Sequence, residues 1–195
     1  MNEPSAIPAL AFGELDPVLA DALRPRVERL GYLGGFFAVM GHQPETLVAF
    51  DAFTEACKRA LPVDLLETIA LSAATRLGND YERQQHEQLS LRLGLDRAWV
   101  AAVERLSPDD AIGLNAEQRA VQRFVLEAVD TVGLSAAESL DVVVGMLGPT
   151  LATAVVLATA RYLAHAMIAN ACRLPPPVPS IFDENSDGED DDDGR

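Results

Sequence analysis

Cysteine is scarce in this sequence. There are two, Cys57 and Cys172, far apart and in no C-x-x-C pair. That argues against a disulfide framework and favours a reducing compartment. Aromatic residues make up only 6% of the chain, fewer than a β-sandwich usually asks for. Positive charge is also in short supply, with 15 Lys and Arg against 30 Asp and Glu and a net charge of −15. Such a chain repels phosphate backbones and anionic lipid, so neither nucleic acid nor membrane is an expected partner. The longest apolar run, near Leu151 to Leu157, is too short to span a bilayer. Met1 to Ala11 has Glu3, Pro4 and Pro8 but no basic residue, so it does not read as a secretory signal. A cytoplasmic location is expected.

What the chain does have is length and small apolar residues. Its 195 residues, 49% of them hydrophobic, suffice for one domain with a full core. The reading is all-α, with roughly eight or nine helices. Residues 1–15 read as a flexible arm, 16–174 as the helical domain, and 175–195 as a Pro-rich and then acidic disordered tail. The segment 183–195 alone holds eight acids and one arginine.

Helix signals punctuate the domain. Asp16-Pro17 is an N-cap followed by a proline at the first helical position. Leu33 to Met40 reads as a short buried helix, and Pro44 opens a longer one. Asp64 with Glu67, and Ser135 with Glu138, have the spacing of capping boxes. Gly78 suits a helix C-terminus, and Asn79 begins the next helix. Asn115 or Ala116 starts an amphipathic helix, and Pro149 or Thr150 a long apolar one reaching Cys172 or Arg173.

The chemistry-bearing stretch is Asn79-Asp80-Tyr81-Glu82-Arg83-Gln84-Gln85-His86. Glu82 and His86 stand four apart on a helix and share a face. A carboxylate beside an imidazole can raise its pKa and orient it, so the pair can move protons. A turn at Gly78 would fold the preceding helix back and bring Glu67 towards them.

Leu61-Pro62, Leu66-Glu67-Thr68-Ile69-Ala70-Leu71, Asn79-x-Tyr81-Glu82-x-x-x-His86 and Gly94 together resemble the carboxymuconolactone decarboxylase and AhpD-like superfamily. His42-x-Pro44-Glu45 and the late helix pair fit as well, so the resemblance spans about residues 16–174. It implies an AhpD-like multi-helix bundle that forms homo-oligomers. In the peroxidases of that superfamily a C-x-x-C pair precedes the histidine. Aligned on His86, those two positions are Asn79 and Glu82, so both sulfurs are missing and thiol peroxidase chemistry is disfavoured. The decarboxylase branch commonly has Trp where Arg83 stands. That branch implies cofactor-free loss of CO₂ from a small carboxylated lactone or organic acid. Under that reading His86 donates or relays the proton, Glu82 sets its charge, Glu67 is a second relay carboxylate, and Tyr81 donates to an oxyanion. Arg83 and Arg76 are the candidate anchors for an anionic substrate.

Each residue also has a plainer reading. Glu82 and His86 can be a structural helix pair, Glu67 a capping residue, Tyr81 a packing residue, and His165 a hydrogen-bonded core or interface histidine. His86-Glu87 does not continue as H-E-x-x-H, because Ser90 holds the last position, and Glu82-x-x-x-His86 lacks di-iron spacing, so no metal is expected. A catalytically silent AhpD-like oligomer that binds a small ligand is the alternative to an enzyme. A redox role for Cys57 is a third reading.

Overall fold

A computed structural model describes residues 5–183. Its α-helices are α1 (Pro17–Leu30), α2 (Gly35–Met40), α3 (Pro44–Ala60), α4 (Val63–Arg76), α5 (Asp80–Arg92), α6 (Arg97–Glu104), α7 (Ala116–Thr131) and α8 (Ala137–Ala171). No strand occurs among the described residues. The all-α architecture matches the sequence reading.

Helix α4 is the centre. Its residues Leu65 to Ala74 are all buried, and it packs against α5, α6, α7 and α8. Leu65, Ile69 and Ala73 meet Val121 and Val125 of α7 and Val155 and Ala158 of α8 in the main core. A second cluster joins Leu71 of α4 to Trp99, Val100 and Val103 of α6. A third gathers Leu19 and Leu23 of α1, Phe36 of α2, Leu47 of α3 and Ala169 of α8.

Several polar side chains cap helix N-termini. Asp16 accepts from the Val18 N–H, Asp96 from Trp99 and Asn79 from Glu82, while Asn115 and Gln118 form a reciprocal capping box. Two expected boxes do not form. Helix α4 starts behind Pro62 with no side-chain cap. Asp64 there accepts from Gln118 Nε2 at 2.9 Å, and Glu67 turns inward instead. Helix α8 starts after Ala136, also without a side-chain cap, so Ser135 is not its cap.

Gly148, with φ 75° and ψ 167°, breaks α8 just before Pro149, where the long apolar segment was expected to begin. Helix α8 is long and apolar enough to cross a membrane. One side of it packs on α3, α4 and α7 and carries the buried Arg161 and His165, while Leu157 and Met167 on another side are exposed.

The segment read as an N-terminal arm lies along the bundle in its described part. Leu10, Phe12 and Leu15 join the third cluster, and the Leu10 N–H donates to Ala38 O. The Pro-rich segment read as the start of a disordered tail is seated as far as Asp183, and Ile181 is 1% exposed. Residues 184–195, where the acidic part of that tail was expected, lie outside the described residues.

Candidate active site

The link between α4 and α5 sets up the site. Leu77 and Gly78 close α4, with the Asn79 N–H donating to Ala74 O and Gly78 at φ 61°. Glycine takes that left-handed conformation without the steric penalty of a Cβ. The reversal lays α5 antiparallel to α4. Glu67, about three turns before it, therefore faces His86, about two turns after it.

Their contact is direct. His86 Nδ1 lies 2.8 Å from Glu67 Oε2, which also accepts from Ser90 Oγ at 3.3 Å. His86 Nε2 lies 3.3 Å from Glu82 Oε2 and 3.4 Å from the Tyr162 hydroxyl. The imidazole is thus held between two carboxylates, one from each helix. Burial opposes its charging, but Glu67 and Glu82 outweigh burial and raise His86 to about 9. At neutral pH both ring nitrogens carry protons.

Glu82 is the hub. Arg161 Nη1 donates to its Oε2 at 2.9 Å, and His165 Nε2 lies 3.1 Å from its Oε1. Burial works against the carboxylate, yet Arg161, His165 and His86 hold it well below the usual carboxylate range. Arg161 Nε donates to Thr54 Oγ1 at 3.1 Å, which fixes the guanidinium against α3. His165 behaves oppositely to His86. Burial, reinforced by Arg161 and His86 against the pull of Glu82, lowers it to about 4. It is neutral, its Nε2–H faces Glu82, and its buried Nδ1 has no hydrogen-bond partner. Its ring stacks on Phe36 at 4.2 Å between centroids.

Glu82, His86, Arg161, Tyr162 and His165 border a cavity of about 280 Å³, with Glu67 behind His86 and outside the lining, at the small end of ligand sites. Phe36, Phe37, Phe50, Tyr81 and Tyr162 supply flat walls, and Arg26, Arg29, Lys58 and Arg92 bring positive charge. Arg26 pairs with Asp51 and Glu55, and Lys58 with Glu55. Arg29 and Arg92 make no ion pair among the described residues.

The structure therefore brings together His86, Glu82, Glu67 and Tyr81. The Tyr81 hydroxyl accepts from the Phe36 N–H at 3.1 Å and keeps its own proton to donate. Burial pushes that phenol up to about 12. Both expected anchors lie elsewhere. Arg76 forms a two-pronged pair with Asp130 at the surface. Arg83 turns to the far face of α5, towards Asp80 and Glu87. The cavity takes the Tyr81, Glu82, Gln85 and His86 side of α5, and the ion pairs with Asp80 and Glu87 hold Arg83 on the other.

Sequence reasoning missed Arg161 and Tyr162 and left His165 in the core. The available signal was Arg161 with His165 one turn later, two basic groups inside an otherwise apolar helix. Burying a cation in such a run requires a partner. Cys57 does not border this cavity. It lines a separate groove with Phe53, Thr150 and Leu157, and burial raises its thiol pKa.

No protein-family model matches the chain, and no curated protein matches it. Solved structures do. The debrominase Bmp8 without ligand superposes with a TM-score of 0.74 at 20% identity, covering 88% of this chain and 91% of that one. A cysteine-to-alanine variant of Bmp8 in complex with 2,3,4-tribromopyrrole gives 0.73 at 20%, covering 90% and 92%. An AhpD-core, peroxidase-related protein from Ralstonia eutropha JMP134 gives 0.68 at 16% identity, covering 90% and 94%. The chain has the AhpD-like fold. Within it, the two positions read as the missing cysteine pair are Asn79, which caps α5, and Glu82, the hub of the buried network. A carboxylate bound to Arg161 thus stands at one of the two expected sulfur positions.

Proposed function

We propose that the protein is a cofactor-free acid–base enzyme acting on a small carboxylated lactone or related conjugated organic acid. The observation that carries this reading is the geometry of His86, whose Nδ1 is taken by Glu67 while Nε2 stands beside Glu82 at the cavity, two carboxylates that favour the charged ring. The Nε2 proton is the transferable one. In a decarboxylation the bond from carbon to the leaving carboxylate breaks and CO₂ departs. The electron pair moves into the substrate's conjugated carbonyl, whose oxyanion takes a hydrogen bond from Tyr81. The pair then returns to carbon as His86 delivers its proton. Glu82 keeps the imidazole charged, and Arg161 offsets the cost of a second buried carboxylate. Arg29 and Arg92 draw an anionic substrate to a chain that is otherwise acidic. The aromatic walls suit a flat ring, as does the tribromopyrrole bound by one structural neighbour.

One feature favours a binding role without turnover. Both oxygens of Glu82 are already engaged, by Arg161, His86 and His165. The deciding experiment is CO₂ release from a panel of carboxylated lactones. We expect His86→Gln and Glu82→Gln to lower turnover at least about 100-fold, the scale of a general acid. Turnover untouched by both substitutions overturns the assignment, and binding without any turnover leaves the silent pocket.

A further inference from the structure

Glu87 is fully buried and takes no part in the site. It follows His86 in sequence and so points about 100° away around α5. Its Oε1 accepts from Arg83 Nη1 at 2.5 Å. Its Oε2 accepts from the Ser180 hydroxyl at 2.5 Å and from the Ile181 N–H at 2.8 Å. Gln88 Nε2 donates to Pro179 O at 3.2 Å, and Asp183 Oδ2 accepts from the Ser180 N–H at 3.2 Å. The Ile181 side chain is inserted among Leu71 of α4 and Trp99, Val100 and Val103 of α6. The five residues from Pro179 to Asp183 thus grip α4, α5 and α6 together.

Two of these helices carry the reacting pair. Leu71 lies one turn after Glu67 on α4, and Glu87 is adjacent to His86 on α5. The Glu67–His86 contact exists only while α4 and α5 keep their spacing and α5 keeps its rotation. A buried carboxylate is costly unless its partners stay in place, so α5 gains most when Glu87 faces Ser180 and Ile181. We infer that residues 179–183 are a C-terminal clasp, and that Glu87, Ser180 and Ile181 are positioning residues holding His86 between Glu67 and Glu82.

The inference rests on the preceding reading only in taking His86 as the working group, and its test needs no substrate. In the full-length chain, the His86 imidazole is titrated by NMR chemical shift in the wild type, Ser180→Ala, and the Ser180→Ala/Ile181→Ala double variant. Leu114→Ala, in the same apolar cluster but without a bond to Glu87, is the control for general loosening. The double variant is expected to titrate at least one pH unit lower than wild type, while Leu114→Ala titrates with wild type despite a lowered Tm. Ser180→Thr, which keeps the hydroxyl, is expected to restore the Ser180→Ala shift. If the double variant fails to fold, Ser180→Ala alone carries the test, with a smaller downward shift expected. A His86 titration that superimposes on wild type in the clasp variants, or an equal shift in Leu114→Ala, overturns the clasp. Neither outcome bears on whether lactones are turned over.

Discussion

Arg161→Met is the substitution that most directly probes the site's electrostatics. The side chain is 9% exposed, its Nη1 is 2.9 Å from Glu82 Oε2, and its Nε holds Thr54. Methionine nearly fills the volume of the stem but leaves the Glu82 carboxylate without its cation. Breaking one side of a buried ion pair costs about 3–5 kcal/mol. The charged His86 stays 3.3 Å from the same oxygen, so the lower end, about 3 kcal/mol, is the expected loss. For a domain of this size each kcal/mol moves Tm by about 2–4 °C, which gives a fall of about 6–12 °C at pH 7. The sign with pH follows from Glu82. Its folded pKa lies well below the ordinary value of 4.5, so its contribution is present above that value and is lost as pH falls through the folded pKa. The gap between wild type and variant should therefore narrow in acid. Thermal unfolding by circular dichroism from about pH 2 to 8 covers that range. Adding Glu82→Gln to Arg161→Met should recover part of the loss, because no unpaired charge is then buried. A Tm within about 2 °C of wild type at pH 7 would refute the coupling, given the size of the expected fall.

The remaining predictions concern separate groups. His86 is raised from 6.5 to about 9 in the folded protein, so its contribution to stability is full below 6.5 and fades as pH rises through 9. Glu67→Gln should flatten that alkaline limb in a chemical-denaturation series from pH 6 to 10. Glu104 is raised from 4.5 to about 7 by burial and by neighbouring Glu87. Wild type should therefore lose stability as pH climbs through 7. Glu104→Gln should be the more stable form at pH 8, by about 1 kcal/mol once solvent screening of a partly exposed group is allowed for. Arg76→Ala should leave both Tm and ligand binding by calorimetry unchanged, because its pair with Asp130 is a surface one remote from the cavity. Arg92→Gln should instead weaken binding of a carboxylate ligand at low salt, with the difference shrinking as ionic strength rises.

Local chemistry explains why parts of this protein could be read early. Asp16-Pro17, Asn79 and Asn115 act on backbone groups within three residues, so their capping roles are visible without tertiary context. Glu82 and His86 share a face through helical spacing alone, and Gly78 marks the reversal that returns Glu67 to them. The Asp64–Glu67 and Ser135–Glu138 boxes failed for a reason no local pattern contains. A better partner lay on another helix for Glu67, and the chain entered α8 one residue later than the motif suggests.

Composition and periodicity determined that the chain would be helical and that no C-x-x-C pair precedes His86. These are properties of neighbouring residues and of amounts. Only the tertiary structure decided which cations matter, because Arg161 lies 79 positions from Glu82 in sequence and 2.9 Å from it in space. The folded chain also decided that the two buried histidines titrate in opposite directions. His86 lies between two carboxylates, while His165 shares one of them and faces Arg161. Such a difference arises from burial and charge converging from distant helices, which linear spacing does not encode.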